Sequence, residues 1–150
     1  MGTEFVSDDN EQLRGELERL IYRFNVQATG IDDGRPLRLA YRAGTDLLAG
    51  LVGWTWGGSG YIEFLWVRED QRGQGLGSAL LADAEAEAVS RGCHQMLLST
   101  HTFQAPRMYT HRGYREYGLI SNYPDGHGQL HLVKRLIQQA DARTSPKDDA

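Results

Sequence analysis

The sequence contains a single cysteine, Cys93, among its 150 residues. One thiol cannot form an intrachain disulfide, so nothing in the sequence indicates an oxidising compartment. No apolar run approaches the roughly 20 residues that a membrane-spanning helix needs. The first residues also lack the basic flank and the apolar run of a secretory signal. We therefore expect a cytoplasmic protein that has no membrane partner.

Excess positive charge is missing as well, because 20 acidic residues outnumber 16 lysines and arginines and give a formal net charge of −4. Proteins that bind nucleic acid neutralise phosphates with clustered basic residues, so we expect no nucleic-acid partner. The five histidines form no His-x-x-x-His pair on a predicted helix and have no cysteine at zinc-finger spacing. We therefore expect no metal.

The order of helical and strand patterns along the sequence predicts a single α/β domain with a mixed sheet. Apolar residues at helical spacing, from Leu13 to Phe24, predict an amphipathic first helix. Alternating or apolar runs predict strands, and an Ala, Leu and Glu-rich segment predicts a long second helix. The strands are expected at 37–43, 47–56, 61–67, 94–100 and 130–136, and the later helices at 77–91 and 106–112. We assign residues 1–137 to the domain and expect the polar residues 138–150 to form a disordered tail.

The segment between the third strand and the second helix carries glycines at alternate positions, Gly73, Gly75 and Gly77, directly after Arg72. The first turn of a helix has backbone N–H groups without partners and the positive end of the helix dipole. Glycines there let an anion approach the backbone, which favours a pyrophosphate site; a tight turn without a ligand is the alternative. The spacing excludes a P-loop, which needs Gly-Lys-Ser/Thr, and a Rossmann loop, which needs Gly-x-Gly-x-x-Gly.

Two motifs resemble those of a known family. Arg72-Gly73-Gln74-Gly75-Leu76-Gly77 matches the Arg/Gln-x-x-Gly-x-Gly/Ala acyl-CoA motif of the GNAT superfamily of N-acetyltransferases. Ala105-Pro106-Arg107-Met108-Tyr109-Thr110-His111-Arg112-Gly113-Tyr114 is similar to the superfamily's Ala-x-x-x-Tyr-x-x-x-Gly-Phe/Tyr segment. The resemblance implies a mixed central sheet flanked by helices, with parallel strands that splay apart at an acetyl-CoA site. It also implies acetyl-CoA as co-substrate, and it allows a homodimer.

The resemblance implies a set of residues that bind the cofactor. Pyrophosphate would sit on the N–H groups of residues 72–78, and the pantetheine arm would run along residues 65–67 like an added strand. Many members have Asn where this chain has Thr102, so we favour the neighbouring Gln104 as a pantetheine contact. The implied cofactor-binding residues are Leu65, Trp66, Val67, Arg72, Gly73, Gln74, Gly75, Leu76, Gly77, Ser78, Gln104 and Arg107.

Two residues are candidates for proton transfer. Tyr109 matches the family's tyrosine that protonates the coenzyme A sulfur, and a buried core aromatic is the alternative. Strand alternation puts Glu63 on one face with Tyr61, Leu65 and Val67. A carboxylate on so apolar a strand needs a function or a partner. Glu63 is therefore either the base that takes the proton of the amine or the partner of an arginine such as Arg42 on a neighbouring strand.

The function implied is transfer of acetyl from acetyl-CoA to a primary amine by direct attack. The acidic net charge and the absence of an appended recognition region favour a small cationic acceptor. The alternatives are acetylation of a protein N-terminus or lysine, and a non-catalytic module that binds acyl-CoA.

Overall fold

The computed structural model describes residues 2–3 and 7–137, so the predicted tail at 138–150 lies outside the described residues. The chain divides into two compact units, one ending at Asp32 and the other beginning at Asp33. The first unit contains helix α1, Gln12–Thr29, in the region where the apolar spacing predicts a helix. It ends at Gly30, whose φ of 73° directs its N–H to the carbonyl of Val26 at 2.7 Å. Such a left-handed cap favours glycine because no Cβ opposes it.

The second unit is a six-stranded mixed sheet with two helices, which confirms the predicted α/β class. The strands lie side by side in the order β1-β2-β3-β4-β6-β5, and among these only the pairing of β3 with β4 is parallel. The elements in chain order are β1 (Arg35–Ala43), β2 (Asp46–Trp56), β3 (Ser59–Val67), α2 (Leu76–Ser90), β4 (Gln95–His101), α3 (Arg107–His111), β5 (Arg115–Ser121) and β6 (Gly128–Arg135).

Helix α2 covers one face of the sheet and forms the core with it. Its buried side chains Leu80, Leu81, Ala84 and Ala88 belong to the same apolar cluster as buried residues of β1, β2, β3, β4 and β6. Arg91 fixes the carboxyl end of α2 over the first two strands. One of its terminal nitrogens donates to the carbonyl of Pro36 at 2.9 Å and to the hydroxyl of Thr55 at 3.1 Å. These bonds hold the helix axis, and therefore its opposite end, at a defined place on the sheet.

Strand β3 contains a β-bulge. Val52 of β2 faces Phe64, whereas the next residue, Gly53, faces Ile62, so Glu63 is an extra residue in β3. The predicted alternation is therefore wrong across this point. Ile62 lies in the core, and Leu65 packs against the same core three residues later, because the bulge shifts the phase of the strand.

The parallel pairing of β3 with β4 stops at the bulge. It runs from Ser59 opposite Gln95 to Ile62 opposite Leu98. Strand β3 nevertheless continues to Val67, and β4 continues to His101. The two strands thus diverge in the second half of β3, as the family resemblance implies, and each leaves backbone groups facing the gap.

Strand β5 is absent from the sequence-based prediction. Six of its seven residues are exposed, so it is an edge strand with no apolar face that periodicity could detect. It pairs only with β6 among the described strands, and β6 begins at Gly128 rather than at the predicted residue 130. The prediction failed here because this strand forms through its backbone pairing rather than through side-chain burial.

Gly53 is required by the close approach of β2 to the bulge. A Cβ at Gly53 would lie 2.9 Å from the carbonyl carbon of Tyr61 and closer still to its oxygen, and neither backbone atom can move independently. We expect Gly53→Ala to lower the free energy of unfolding by about 1–3 kcal/mol, the range for overpacking. Urea unfolding measures this difference.

Gly50 provides the matched control on the same strand, because a Cβ there would meet its nearest neighbour at an ordinary 3.6 Å. Gly50→Ala should change the free energy of unfolding by less than about 0.5 kcal/mol. Equal effects of the two substitutions would contradict a role for the bulge contact.

Candidate functional site

A cavity of about 640 Å³ fills the gap between the diverging strands. Its wall combines the ends of β3 and β4, the loop before α2, the first turn of α2, and the segment that leads into α3. The lining residues are Ile62, Glu63, Phe64, Leu65, Trp66, Val67, Gln71, Arg72, Gly73, Gly75, Leu76, Gly77, Ser78, Leu98, Ser99, Thr100, Phe103, Gln104, Ala105, Met108 and Tyr109.

The amino end of α2 opens into this cavity without a cap. The first intrahelical bond joins the N–H of Ala79 to the carbonyl of Gly75 at 2.9 Å. The N–H groups of Leu76, Gly77 and Ser78 therefore have no carbonyl within the helix to bind. Gly75, as the N-cap residue, offers no side chain, and the first turn contains no acidic residue. The positive end of the helix dipole is thus left for an external anion.

The glycines of the loop differ in what they contribute. Gly73 and Gly75 have φ values of 76° and 86°, and a Cβ at either would meet no protein atom within 4 Å. They permit the turn and keep its outer side open, as an approaching anion requires. Gly77 does not follow this prediction, because a Cβ there would lie 2.9 Å from the sulfur of Met108 and 3.5 Å from Val67. Its role is close packing of α2 against α3 and β3.

Arg72 fastens the loop to the preceding strand. Its Nε donates to the carbonyl of Val67 at 3.0 Å, which closes the turn between β3 and α2. The residue is exposed and lines the cavity. Its positive charge therefore lies on the same side as the uncapped N–H groups, and both favour an anion there.

Tyr109 lies on α3 at the inner wall of the cavity and is 7% exposed. No side chain among residues 7–137 hydrogen-bonds its hydroxyl. Burial raises the pKa of Tyr109 above its usual value, because removal from water disfavours the phenolate. The hydroxyl is therefore protonated at neutral pH and can donate to a group that enters the cavity.

Tyr109 is positioned through Tyr114, whose ring meets it edge to face with the centroids 5.8 Å apart. The carbonyl of Tyr109 also accepts the N–H of Tyr114 at 3.1 Å. Beneath Tyr114, the buried carboxylate of Glu85 on α2 pairs with Lys134 of β6 and lies 3.6 Å from Arg112. Burial and the nearby Glu85 carboxylate raise the pKa of Tyr114. The Glu85 carboxylate thus links α2 to Lys134 of β6 and lies close to Arg112 at the end of α3.

Glu63, the bulge residue, is half-buried and lines the cavity. The guanidinium of Arg42, the example given for the alternative partner, donates to the carbonyl of Thr45 at 3.2 Å. Glu63 and Tyr109 line the same cavity from different elements, β3 and α3. A carboxylate can accept a proton from a molecule in the cavity, and a phenol can donate one to it.

The remaining predicted contacts are divided between the cavity and its surroundings. Gln104 lines the cavity, and its side-chain carbonyl accepts the backbone N–H of His101 at 2.8 Å. Gln74 and Arg107 do not line the cavity; Gln74 lies against the carbonyl of Asp70 at 3.4 Å.

Sequence reasoning missed six apolar or aromatic lining residues, which are Ile62, Phe64, Leu98, Phe103, Ala105 and Met108. Leu98 lies within the predicted strand 94–100, and its position beside the gap follows only from the end of the ladder. Phe103 precedes the matched 105–114 segment and Met108 occupies one of its unspecified positions, so neither carried a separate signal. Met108 faces the cavity because it packs on Gly77.

Two further features of the described residues concern metal binding and membrane insertion. No three side chains of His, Cys, Asp or Glu within residues 2–3 and 7–137 come together in a way that suits a metal ion. In the same residues, no helix combines the length and the apolar character needed to cross a bilayer.

Comparison with known proteins gives one consistent result. The model of the family described as "Acetyltransferase (GNAT) family" matches residues 4–116. The blasticidin-S acetyltransferase of Streptomyces morookaense is 40% identical over 119 residues, which cover 74% of this chain and 85% of the relative.

Solved structures agree. A crystal structure of a putative acetyltransferase from Agrobacterium tumefaciens superposes with a TM-score of 0.80 at 30% identity, covering 90% of this chain and 99% of the other. The crystal structure of nourseothricin acetyltransferase superposes with a TM-score of 0.58 at 25% identity, covering 70% and 66%.

Proposed function

The chain belongs to the GNAT acetyltransferase family and is an acyltransferase, and we propose that it transfers acetyl from acetyl-CoA to a primary amine of a small cationic molecule by direct attack. One observation carries this proposal. The uncapped end of α2 and the side chain of Tyr109 line the same cavity, where β3 and β4 diverge. An anion site and a proton donor in one cavity match the two ends of a thioester cofactor.

Acetyl-CoA is the co-substrate of this family, and the residues of the cavity fit it. Its pyrophosphate would lie on the N–H groups of Leu76, Gly77 and Ser78, beside the charge of Arg72. Its pantetheine arm would run along the open edge of β3 at residues 65–67 and pair with the backbone as an added strand does. The Trp66 side chain lies on the exposed side of β3, so its contribution would come from the backbone.

The chemistry requires an uncharged amine and a stabilised leaving group. In our proposal, Glu63 takes a proton from the acceptor ammonium, directly or through water, and the free nitrogen attacks the thioester carbonyl carbon. The new C–N bond forms as the C–S bond breaks, the sulfur takes the proton of the Tyr109 hydroxyl, and the proton that the acylated nitrogen then loses returns to the Tyr109 phenolate, directly or through water. A buried phenol suits this task, because it is protonated before the reaction and adjoins the charge that develops on sulfur.

A small acceptor is favoured by the names of two similar proteins. The relative at 40% identity is named for acetylation of blasticidin S, and nourseothricin acetyltransferase is named for another small molecule. A cationic acceptor is favoured by charge, since the protein carries a net charge of −4 and Glu63 lies in the cavity. Anionic amines would meet repulsion from the same groups.

The cofactor site is tested by substitutions at two positions in the loop, Arg72 and Gly75. We expect acetyl-CoA to raise the melting temperature of the parent protein, because a ligand that binds only the folded state stabilises it. Arg72→Glu should abolish this shift by reversing the charge, and Arg72→Lys should retain part of it. Gly75→Val should abolish it as well, because valine is strained at a φ of 86°.

Gly44→Val is the control for backbone strain, since Gly44 has a φ of 59° in a turn away from the cavity and a Cβ there would be unobstructed. It should lower the melting temperature and keep the acetyl-CoA shift. A full shift in both Arg72→Glu and Gly75→Val would locate the cofactor elsewhere.

The activity is tested by incubating the protein with acetyl-CoA and a panel of small cationic, neutral and anionic amines, and by following release of the free thiol. We expect cationic amines to be acetylated fastest.

Tyr109→Phe should leave acetyl-CoA binding intact and lower turnover roughly 10²-fold, the lower end for loss of a general acid. Tyr117→Phe is the control, because Tyr117 is an exposed tyrosine on β5 that does not line the cavity.

Turnover that is equal in Tyr109→Phe and the parent would remove Tyr109 from the mechanism. Thiol release that no amine on the panel stimulates would contradict acetyl transfer to a small molecule.

The role of Glu63 is tested by the pH dependence of turnover. A base must lose its own proton before it can accept one, so the rate should rise with pH through an ionisation that Glu63→Gln removes. Glu116→Gln, on the exposed strand β5, should keep the profile of the parent. An unchanged profile in Glu63→Gln would assign the deprotonation to water and leave Glu63 a structural residue.

A further inference from the structure

Four ring side chains cluster where the cavity meets the loops after β4 and β5. His101 stacks on Phe103 with a centroid distance of 5.3 Å and an interplanar angle of 7°, and it lies 5.2 Å from Tyr123. The His127 ring lies nearly perpendicular to Phe103, at an interplanar angle of 75° and a centroid distance of 5.0 Å. We call these four residues the ring cluster. The reaction proposed above uses none of them.

The backbone holds the two loops of the ring cluster together. Thr102 and Gly128 exchange two hydrogen bonds, one from the N–H of Thr102 to the Gly128 carbonyl at 2.9 Å and one from the N–H of Gly128 to the Thr102 hydroxyl at 3.2 Å. The ring nitrogen Nδ1 of His101 lies 2.9 Å from the carbonyl of Tyr123. A carbonyl can only accept, so Nδ1 carries the proton, and Nε2 of the neutral ring has a free lone pair.

The ring cluster is continuous with the cavity and open to solvent. Phe103 is itself a lining residue, together with its neighbour Gln104. Phe103 is 56% exposed and Tyr123 is 54% exposed, although both take part in ring contacts. Two aromatic surfaces are thus exposed at or near the cavity wall.

The charge of these loops selects among possible ligands. Within residues 102–106 and 122–127 the only aspartate, glutamate, lysine or arginine is Asp125. Aromatic faces attract cations, and a guanidinium group also stacks flat on them, which a tetrahedral ammonium cannot do. The Nε2 lone pair of His101 adds an acceptor for an N–H group in the same place.

We propose that the ring cluster is the part of the acceptor site that binds a planar, N–H-rich cationic group, such as a guanidinium, carried by the same molecule as the reactive amine. This proposal rests on the proposed function, because it places the acceptor at the cavity mouth. It adds a chemical class: the acceptor has a primary amine at one end and a planar cation at the other.

Binding to the protein saturated with coenzyme A, which cannot react, isolates recognition from turnover. The probes are agmatine and 1,5-diaminopentane, which both carry two positive charges on a short chain and differ in having a guanidinium or a second ammonium. We expect agmatine to bind roughly fivefold tighter by calorimetry, as one stacked cation at an exposed site allows. Phe103→Leu and Tyr123→Leu should each reduce this preference, because leucine keeps apolar bulk without a π face.

Tyr117→Leu is the matched control. Tyr117 is also an exposed tyrosine beside a histidine, with its ring 5.8 Å from His131, but it lies outside the cavity, so its loss should keep the preference. Equal binding of the two probes by the parent protein, no binding of either, or a preference that survives both substitutions would overturn the proposal.

Turnover of the same probes separates this inference from the proposed function. If agmatine binds selectively through Phe103 and Tyr123 but is not acetylated, the proposed reaction is contradicted and the ring cluster remains a binding site. Acetylation of both probes at equal rates, with equal affinities, would support the reaction and remove the ring cluster from it.

Discussion

The close contact between Gly53 and the carbonyl of Tyr61 is the constraint on which the site depends. It lets β2 follow β3 through the bulge at Glu63, and at that same residue the pairing of β3 with β4 ends. A regular β3 would continue its parallel ladder and close the gap. The bulge therefore accounts at once for the cavity, for the open edge of β3, and for a carboxylate in the cavity wall.

The electrostatics of the site follow from what α2 lacks and from what it buries. Its first turn has neither a capping side chain nor a carboxylate, so the dipole and the N–H groups are available to an anion. Two turns further along, Glu85 is buried and would be costly alone, yet it is paired with Lys134 and lies near Arg112. One helix thus provides the positive end that faces the cavity and, through Glu85, contacts the segment that carries Tyr109.

The sequence could predict the parts of the fold that leave a local signature. Composition marked α2, apolar runs marked β3 and β4, and the glycine loop and Tyr109 segment marked two borders of the cavity. Strand β5 and the bulge have no local sequence signature. Strand β5 is exposed on both faces, and the bulge exists only in the register between two strands. Whether Gln74 or Arg107 faces the cavity likewise depends on the phase of a loop and a five-residue helix, which no motif specifies.

The same distinction explains how far similarity to relatives extends. The end of α2 and the edge of β3 lie on regular elements of a fold that this chain shares with solved acetyltransferase structures. The ring cluster is built differently. His101 is the last residue of β4 and Phe103 follows it in the next loop, whereas Tyr123 and His127 lie in the loop after β5; the pairing of β4 with β6 brings the two regions together. Loops tolerate substitution without loss of the fold, so a relative can keep the acetyl-CoA site and change the acceptor. The names of relatives therefore bear on the size of the acceptor, whereas its finer chemistry depends on loop residues that the shared fold does not specify.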